Sequence, residues 1–190
     1  MFSGLNNQMI QDLLKDLRIR CKKIDIPIIS EETQDYLEGI LRKHKPKICL
    51  EIGSAVAYST IYIANIVKER DGIVYSSEIS YTAYTAGINN IKQSGLTNIV
   101  LYPFDVNKVD LRKLISKEID FAFIDGQKNQ YASYLMKIQN ILRSNGIIVL
   151  DDVIKYHNKL SLLYGYLQKK QIDYKIVKTE PGDGIMIIKD

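Results

Sequence analysis

The sequence contains no tryptophan, two cysteines, four prolines and eleven glycines in 190 residues. Glycine and proline at these frequencies exclude a collagen-like or low-complexity chain. No apolar run approaches the roughly 18 residues that a membrane-spanning helix needs. Charges interrupt the apolar residues of the first twenty positions, which is not the pattern of a secretory signal. We therefore expect a cytoplasmic protein that does not insert into a membrane.

The two cysteines, Cys21 and Cys49, lie 28 positions apart. Without an export signal, this spacing favours free, buried thiols in a reducing compartment over a disulfide bond or a zinc site. The formal net charge of +4 is compatible with RNA or an anionic cofactor but dictates neither.

The residues that are present are typical of one globular domain, with 46% hydrophobic and 25% charged positions. No linker, repeat or low-complexity block interrupts the chain. We predict a single domain over residues 1–190, with an N-terminal helical extension (1–45) and a core (46–190).

Helical and strand-like segments alternate from end to end. The apolar spacing predicts helices over 5–20, 31–42, 58–68, 81–94, 131–142 and 157–170, and strands over 48–52, 73–78, 99–102, 119–124, 146–150, 174–178 and 185–189. The first helix has an apolar stripe of Leu5, Met9, Leu13 and Leu17. Strands separated by helices predict an α/β fold with a mostly parallel seven-stranded sheet and helices on both faces. The turn sequence at 181–184 predicts that the last two strands form an antiparallel hairpin.

Five consecutive predicted strands end at or next to a carboxylate. These acids are Glu51, Glu78, Asp105, Asp125 and the pair Asp151-Asp152. Ligands of open α/β sheets bind beyond the carboxyl ends of the strands, so this edge is the candidate site. Any one of these acids could instead cap the helix that follows it.

The loop after the first strand has one glycine, Gly53, and lacks the G-x-G-x-x-G pattern that cradles a pyrophosphate. This argues against an NAD-dependent oxidoreductase. Glu51, two residues earlier, suits a ligand that carries an amino group. Glu78 follows 27 residues later, where an acid can bind both hydroxyls of a ribose. A nucleoside with an amino-acid tail therefore fits better than NAD.

Four segments occur in the order and spacing of a known family: LEIGSAVAYS (50–59), FIDGQKNQY (123–131), the run from LRSNG to DDV (142–153) and GDGI (182–185). With these motifs the sequence resembles the class I S-adenosylmethionine-dependent methyltransferases, and among them the metal-dependent O-methyltransferases related to catechol and caffeoyl-CoA O-methyltransferases. The resemblance covers most of the chain and implies a Rossmann-like methyltransferase fold.

The resemblance also implies roles for individual residues. Glu51, Gly53 and Ser59 would line the methionine end of S-adenosylmethionine, Glu78 would hold the ribose, Phe104 and Asp105 would flank the adenine, and Asp125 would lie beside the cofactor. Asp125, Asp151 and Asp152 would bind Mg²⁺, or Mn²⁺ or Ca²⁺ in its place, because their oxygen ligands suit such ions. Lys128 matches the lysine that takes the proton from the substrate hydroxyl.

Three departures from the family pattern bear on function. Ala57 replaces a glycine and is expected to crowd the cofactor, and Asp152 replaces the usual asparagine. The third departure is the absence of a substrate-shaping insertion after Val153, so we expect an open active site or one completed by another subunit. The stripe of the first helix would cover the cofactor or pack against that subunit, and a homodimer is the expected assembly.

The resemblance is to small bacterial members, among them a tRNA methyltransferase that acts on 5-hydroxyuridine. We therefore expect tRNA as the substrate, with a small phenolic compound as the alternative. Five late lysines would assist phosphate binding or simply solvate the surface: Lys155, Lys159, Lys169, Lys170 and Lys175. A cofactor-binding module without catalysis is the remaining alternative.

Overall fold

The computed structural model describes residues 2–189, with side chains from residue 7 onward. Its helices are α1 (Phe2–Lys23), α2 (Glu31–His44), α3 (Tyr58–Val67), α4 (Tyr81–Ser94), α5 (Leu111–Leu114), α6 (Tyr131–Gln139) and α7 (Ser161–Lys170). Its strands are β1 (Ile48–Ile52), β2 (Ile73–Ser77), β3 (Ile99–Tyr102), β4 (Ile119–Ile124), β5 (Leu142–Leu150), β6 (Tyr174–Glu180) and β7 (Asp183–Lys189).

The seven strands form one sheet in the order β3-β2-β1-β4-β5-β7-β6. The first five strands are parallel, whereas β7 runs antiparallel to both β5 and β6. This confirms the predicted mostly parallel sheet with its C-terminal hairpin. The pairing of Leu150 with Met186 also brings the start of β7 to the carboxyl end of β5.

Alternate strand residues face two separate cores, because successive side chains of a strand point to opposite faces. On one face, Leu50, Ala122 and Ile148 pack with residues of α6 and α7. On the other, Cys49 and Phe121 pack with residues of α1, α2 and α3. Helices cover both faces of the sheet, so the connecting loops lie at the two ends of the strands, where the packed sheet holds them in place.

Local signals set several helix ends as predicted. Helix α2 begins after Ser30, whose hydroxyl accepts a hydrogen bond from the Thr33 amide at 3.0 Å. Helix α4 spans the predicted residues between the cap Ser80 and Gly95, which has a positive φ angle. None of the described helices is long and apolar enough to cross a membrane.

Several predicted bounds were wrong. Helix α1 is longer than 5–20, and of the hairpin strands, β6 reaches Glu180 instead of 178 and β7 starts at Asp183 instead of 185. The α6 helix ends at Gln139 instead of 142, because Leu142 pairs with Ile119 and starts a longer β5. The α7 helix begins at Ser161 instead of 157, after a 3₁₀ turn at His157–Lys159.

The predicted stripe of α1 was correct only in part. Leu17 is buried and Leu13 packs against the same core, but Met9 is 61% exposed, and the side chain of Leu5 lies outside the described residues. The buried stripe is Ile10, Leu14, Leu17 and Cys21. It packs mainly on α3 within the same chain, so this helix closes the core.

Candidate active site

A cleft of about 510 Å³ opens at the carboxyl edge of the parallel strands. This volume lies within the usual range of small-molecule sites. Its walls come from the loops after β1, β2, β3, β4 and β5 and from the loop between α1 and α2. The carboxylates of Glu78, Asp125, Asp151 and Asp152 line it, as the strand-end argument predicts.

Gly53 lets the loop after β1 lie against the loop after β4. Its φ angle is +93°, and a Cβ at this position would overlap the carbonyl oxygen of Asp125 and lie 2.9 Å from the Cα of Gly126. Only glycine fits both constraints. The residue that the motif singled out is therefore required by backbone packing at the floor of the cleft.

Glu51 lies beneath the floor and is fully buried. One of its carboxylate oxygens, Oε2, accepts hydrogen bonds from Thr60 and from the Ser76 hydroxyl at 2.6 Å. Burial raises the pKa of Glu51 to about 6, although the hydroxyls of Ser59, Ser76 and Thr60 favour the charged form. Its Oε1 atom has no hydrogen-bond partner among the described residues. The carboxylate can therefore accept one more donor.

Two of the expected cofactor-binding residues, Glu78 after β2 and Phe104 after β3, line the cleft. Glu78 lines the cleft, and its carboxylate accepts from the amides of Ala55 at 2.8 Å and Ser80 at 2.7 Å. Phe104 also lines the cleft and stacks on Tyr102.

Asp105 is not among the lining residues. Its carboxylate instead accepts a hydrogen bond from the Asn107 amide at 2.8 Å and caps a 3₁₀ turn. Ser59, on α3, is buried beside Glu51. Ala57 is fully buried as well, and its side chain faces Gly87 of α4. A Cβ added to Gly87 would lie 3.3 Å from the Cβ of Ala57. Ala57 is therefore not among the residues that line the cleft.

Lys128 links two of the expected metal-binding carboxylates. Its Nζ lies 2.7 Å from Asp125 and 2.7 Å from Asp152. The Tyr131 hydroxyl accepts a third hydrogen bond from Nζ at 2.8 Å and donates to the backbone oxygen of Asp151 at 3.0 Å. Burial alone would lower the pKa of Lys128, but the charges of Asp125 and Asp152 outweigh burial and raise it. In this arrangement Lys128 is an ammonium ion.

The acidic end of the cleft has more negative than positive charge. Burial, followed by the charges of Asp125 and Asp152, raises the pKa of Asp151 to about 8. Burial likewise raises the pKa of Asp125 to about 6 despite its contact with Lys128. Asp183, at the start of β7, is a further acid beside Asp152, and its pKa is raised by burial and by that neighbour. One ammonium ion does not balance four carboxylates at this end.

The donor set fits a hard divalent cation, because it consists of oxygens and is short of positive charge. The arrangement differs from a preformed metal centre: in the described part of the chain, no three His, Cys, Asp or Glu side chains converge as metal ligands. The ammonium of Lys128 lies between Asp125 and Asp152.

Two functional candidates were missed by the sequence analysis. The turn and the GDGI motif include Asp183 but predict no role for its side chain. The structure shows that its carboxylate accepts hydrogen bonds from the amides of Lys155 and Gly184 and holds the loop after β5. Pairing β7 with β5 would have predicted this location. Tyr156, which lines the mouth of the cleft, had no motif to mark it.

Comparisons with known proteins agree with the resemblance. The sequence model of the O-methyltransferase family matches residues 4–162. Among curated relatives, tapetum-specific methyltransferase 1 of Arabidopsis thaliana is 25% identical over 75% of this chain and 64% of its own length. A caffeoyl-CoA O-methyltransferase of Stellaria longipes is 27% identical over 62% of this chain and 51% of its own length. The chain thus spans less than two thirds of these relatives.

Solved structures share the fold at low identity. An O-methyltransferase from Bacillus cereus in complex with SAH superposes with a TM-score of 0.80 at 17% identity, over 94% of this chain and 91% of that one. The O-methyltransferase TomG of Streptomyces achromogenes, in complex with SAM, has a TM-score of 0.77 at 15% identity, over 93% and 89%. These matches show a common fold.

Proposed function

The chain belongs to the O-methyltransferase family, and on this premise we propose that it transfers a methyl group from S-adenosylmethionine to an acidic substrate hydroxyl with the help of a divalent metal ion. The observation that carries the proposal is Lys128, which lies between Asp125 and Asp152 at one end of the cleft, while Gly53, Glu78 and Phe104 line the rest.

The cofactor would occupy the part of the cleft next to β1 and β2. Glu78 keeps acceptor capacity for ribose hydroxyls, because each carboxylate oxygen has two lone pairs and accepts one amide hydrogen bond here. Phe104 offers a ring face for the adenine. The unpartnered Oε1 of Glu51 supports a donor at the methionine end, consistent with the ammonium group of S-adenosylmethionine.

Asp125, Asp151 and Asp152 would hold Mg²⁺. The chemistry that such an ion supplies when bound is Lewis-acid activation, which lowers the pKa of a coordinated hydroxyl. Lys128 would receive the hydroxyl proton at Nζ. Because its two ion pairs raise its pKa, this role requires Nζ to leave Asp125 and Asp152 and lose its proton first. The Tyr131 hydroxyl keeps Nζ near the site.

We propose 5-hydroxyuridine in tRNA as the substrate. Its hydroxyl lies beside a carbonyl, so the two oxygens can chelate a metal ion. The open cleft and the lysines at its mouth support a large anionic substrate. A catechol-type phenol is the alternative, since its two hydroxyls offer the same chelation.

Methyl transfer from labelled S-adenosylmethionine tests the proposal. The acceptors are catechol-type phenols and tRNA from a strain without wobble-uridine methylation, each assayed with Mg²⁺ or with EDTA. We expect labelled tRNA, no turnover in EDTA, and none from Lys128→Met. Lys169→Met, at an exposed lysine, is the matched control.

Full activity in EDTA would contradict the metal ion, and turnover by Lys128→Met would contradict the base. Labelling of phenols alone would make the alternative substrate correct. Cofactor binding without product on any acceptor would favour the non-catalytic module. The homodimer stays a prediction, and size-exclusion chromatography with light scattering tests it.

A further inference from the structure

The mouth of the cleft carries an aromatic ring surrounded by lysines. Tyr156 is half-buried and lines the cleft. The Nζ atoms of Lys155 and Lys159 lie 5.3 Å and 5.0 Å from the centroid of its ring. Both distances are within cation–π range, which extends to about 6 Å. We name Lys155, Tyr156 and Lys159 the basic rim.

Among the described residues, no carboxylate holds either lysine of the basic rim in a close ion pair. Neither makes an ion pair within 4.0 Å, and neither Nζ donates a hydrogen bond to any residue that the structure describes. Both side chains are exposed, although they line the cleft. Lys128 differs, because Asp125 and Asp152 neutralise it. Lys155 still interacts electrostatically with the Asp152 carboxylate, but neither lysine is held in a close contact by it. The basic rim therefore presents two exposed ammonium groups next to an aromatic ring.

Negative and positive side chains occupy different parts of the cleft. Asp125 follows β4, Asp151 and Asp152 follow β5, and all three line the cleft, with Asp183 at the start of β7 beside Asp152. Lys155 and Lys159 come after these acids, in the loop after β5. A ligand that matches this division has a chelating or neutral group at the acidic end and an anionic group at the rim. A planar ring between the two would lie next to Tyr156.

We propose that the basic rim is the nucleotide-recognition element of the site, in which Tyr156 stacks on a base of the RNA substrate and Lys155 and Lys159 contact its phosphates. This rests on the proposed function, which it deepens by naming the residues that select RNA. Aromatic stacking combined with backbone-directed cations is the usual way that proteins hold unpaired nucleotides.

The other three late lysines lie elsewhere. Lys169 and Lys170 end α7, just before β6 starts at Tyr174. Tyr174 pairs with Ile188 near the end of β7, at the opposite end of the hairpin from Glu180, which lines the cleft. Lys175 lines a separate groove. These lysines provide matched controls of the same charge.

The test measures RNA binding directly, apart from turnover. The RNA is an anticodon stem-loop with 5-hydroxyuridine at the wobble position, and its binding is followed by fluorescence anisotropy at several salt concentrations with S-adenosylhomocysteine present. The variants are Lys155→Gln with Lys159→Gln, Tyr156→Leu, Tyr156→Phe, and the control pair Lys169→Gln with Lys170→Gln.

We expect the variant that lacks both rim lysines to bind about tenfold more weakly. The slope of log affinity against log salt should fall by roughly 1.4–1.8, which is about 0.7–0.9 for each lost phosphate contact. Tyr156→Leu should also bind about tenfold more weakly, but with the salt slope unchanged. Tyr156→Phe and the control pair should bind like the parent protein.

Equal losses in the rim pair and the control pair would overturn the proposal, and so would an absence of RNA binding by the parent protein. Methylation of tRNA that is insensitive to the rim variants would refute the rim and leave the proposed function standing. The expected binding pattern without any methyl transfer would have the opposite meaning: the rim would stand and the catalytic proposal would fail.

Discussion

Glu51 gives the sharpest test of the site's electrostatics. It is fully buried, and its pKa of about 6 exceeds the ordinary value of 4.5 because burial disfavours its charge. The folded protein therefore holds this proton more tightly than the unfolded chain does. The contribution of Glu51 to stability is complete below about pH 4.5 and is lost as the pH rises through about 6.

The size of the loss follows from the two pKa values. At about 1.4 kcal/mol per pKa unit, the charged carboxylate costs the folded state about 2 kcal/mol at neutral pH. Glu51→Gln removes the titration. The free energy of unfolding of the parent protein, relative to this variant, should fall by about 2 kcal/mol between pH 4 and pH 7.

Urea unfolding at pH intervals without cofactor measures this difference. A pH-independent offset between the two proteins reflects the altered hydrogen bonds to Thr60 and Ser76 and carries no information on charge. Glu69→Gln, at an exposed glutamate, is the control and should follow the parent at every pH. A Glu51→Gln curve parallel to that of the parent would refute the reasoning, and so would a difference that grows in the opposite direction.

Three further predictions concern the same site. Gly53→Ala should lower the free energy of unfolding, measured in urea, by roughly 2–4 kcal/mol, because the added Cβ would overlap the backbone of Asp125. Gly182 also has a positive φ angle but has open space around it, so Gly182→Ala should lower the same free energy by only about 1 kcal/mol. Tyr131→Phe should lose roughly 1–2 kcal/mol by the same measurement, because its hydroxyl bonds both Lys128 and Asp151, and the exposed Tyr36→Phe should lose nothing. Excess Mg²⁺ should raise the thermal unfolding midpoint of the parent and of Asp152→Asn but not of Asp151→Ala. Equal midpoints of the parent with and without Mg²⁺ would contradict binding of the ion.

The sequence was most informative where local chemistry decides the structure. Apolar periodicity located all seven strands, and the glycine and carboxylates at strand ends predicted which edge carries the cleft. The orientation of individual side chains was not predictable in this way. Asp105 lies at a strand end like the other acids, and Ala57 replaces a glycine of the first motif. Asp105 nevertheless caps a 3₁₀ turn and Ala57 faces Gly87, because neighbouring elements determine where each side chain points.

Contacts between residues that lie far apart in the sequence were also not predictable. Asp183 and Asp152 lie 31 positions apart in the sequence. They meet only because β7 inserts beside β5, and the hairpin signal did not specify which strand β7 would join. The ion pairs of Lys128 have the same origin, since Asp152 comes from a different strand end.

The insertion of β7 between β5 and β6 has a consequence for biosynthesis. Every other strand precedes β7 in the chain, so during translation the apolar strand β5 has an open edge until β7 emerges from the ribosome. The same strand supplies Asp183, whose carboxylate accepts a hydrogen bond from the Lys155 amide in the loop after β5. A nascent chain stalled before residue 183 would thus lack this support for the loop and would be prone to aggregation, which makes this stretch a natural point for chaperone engagement.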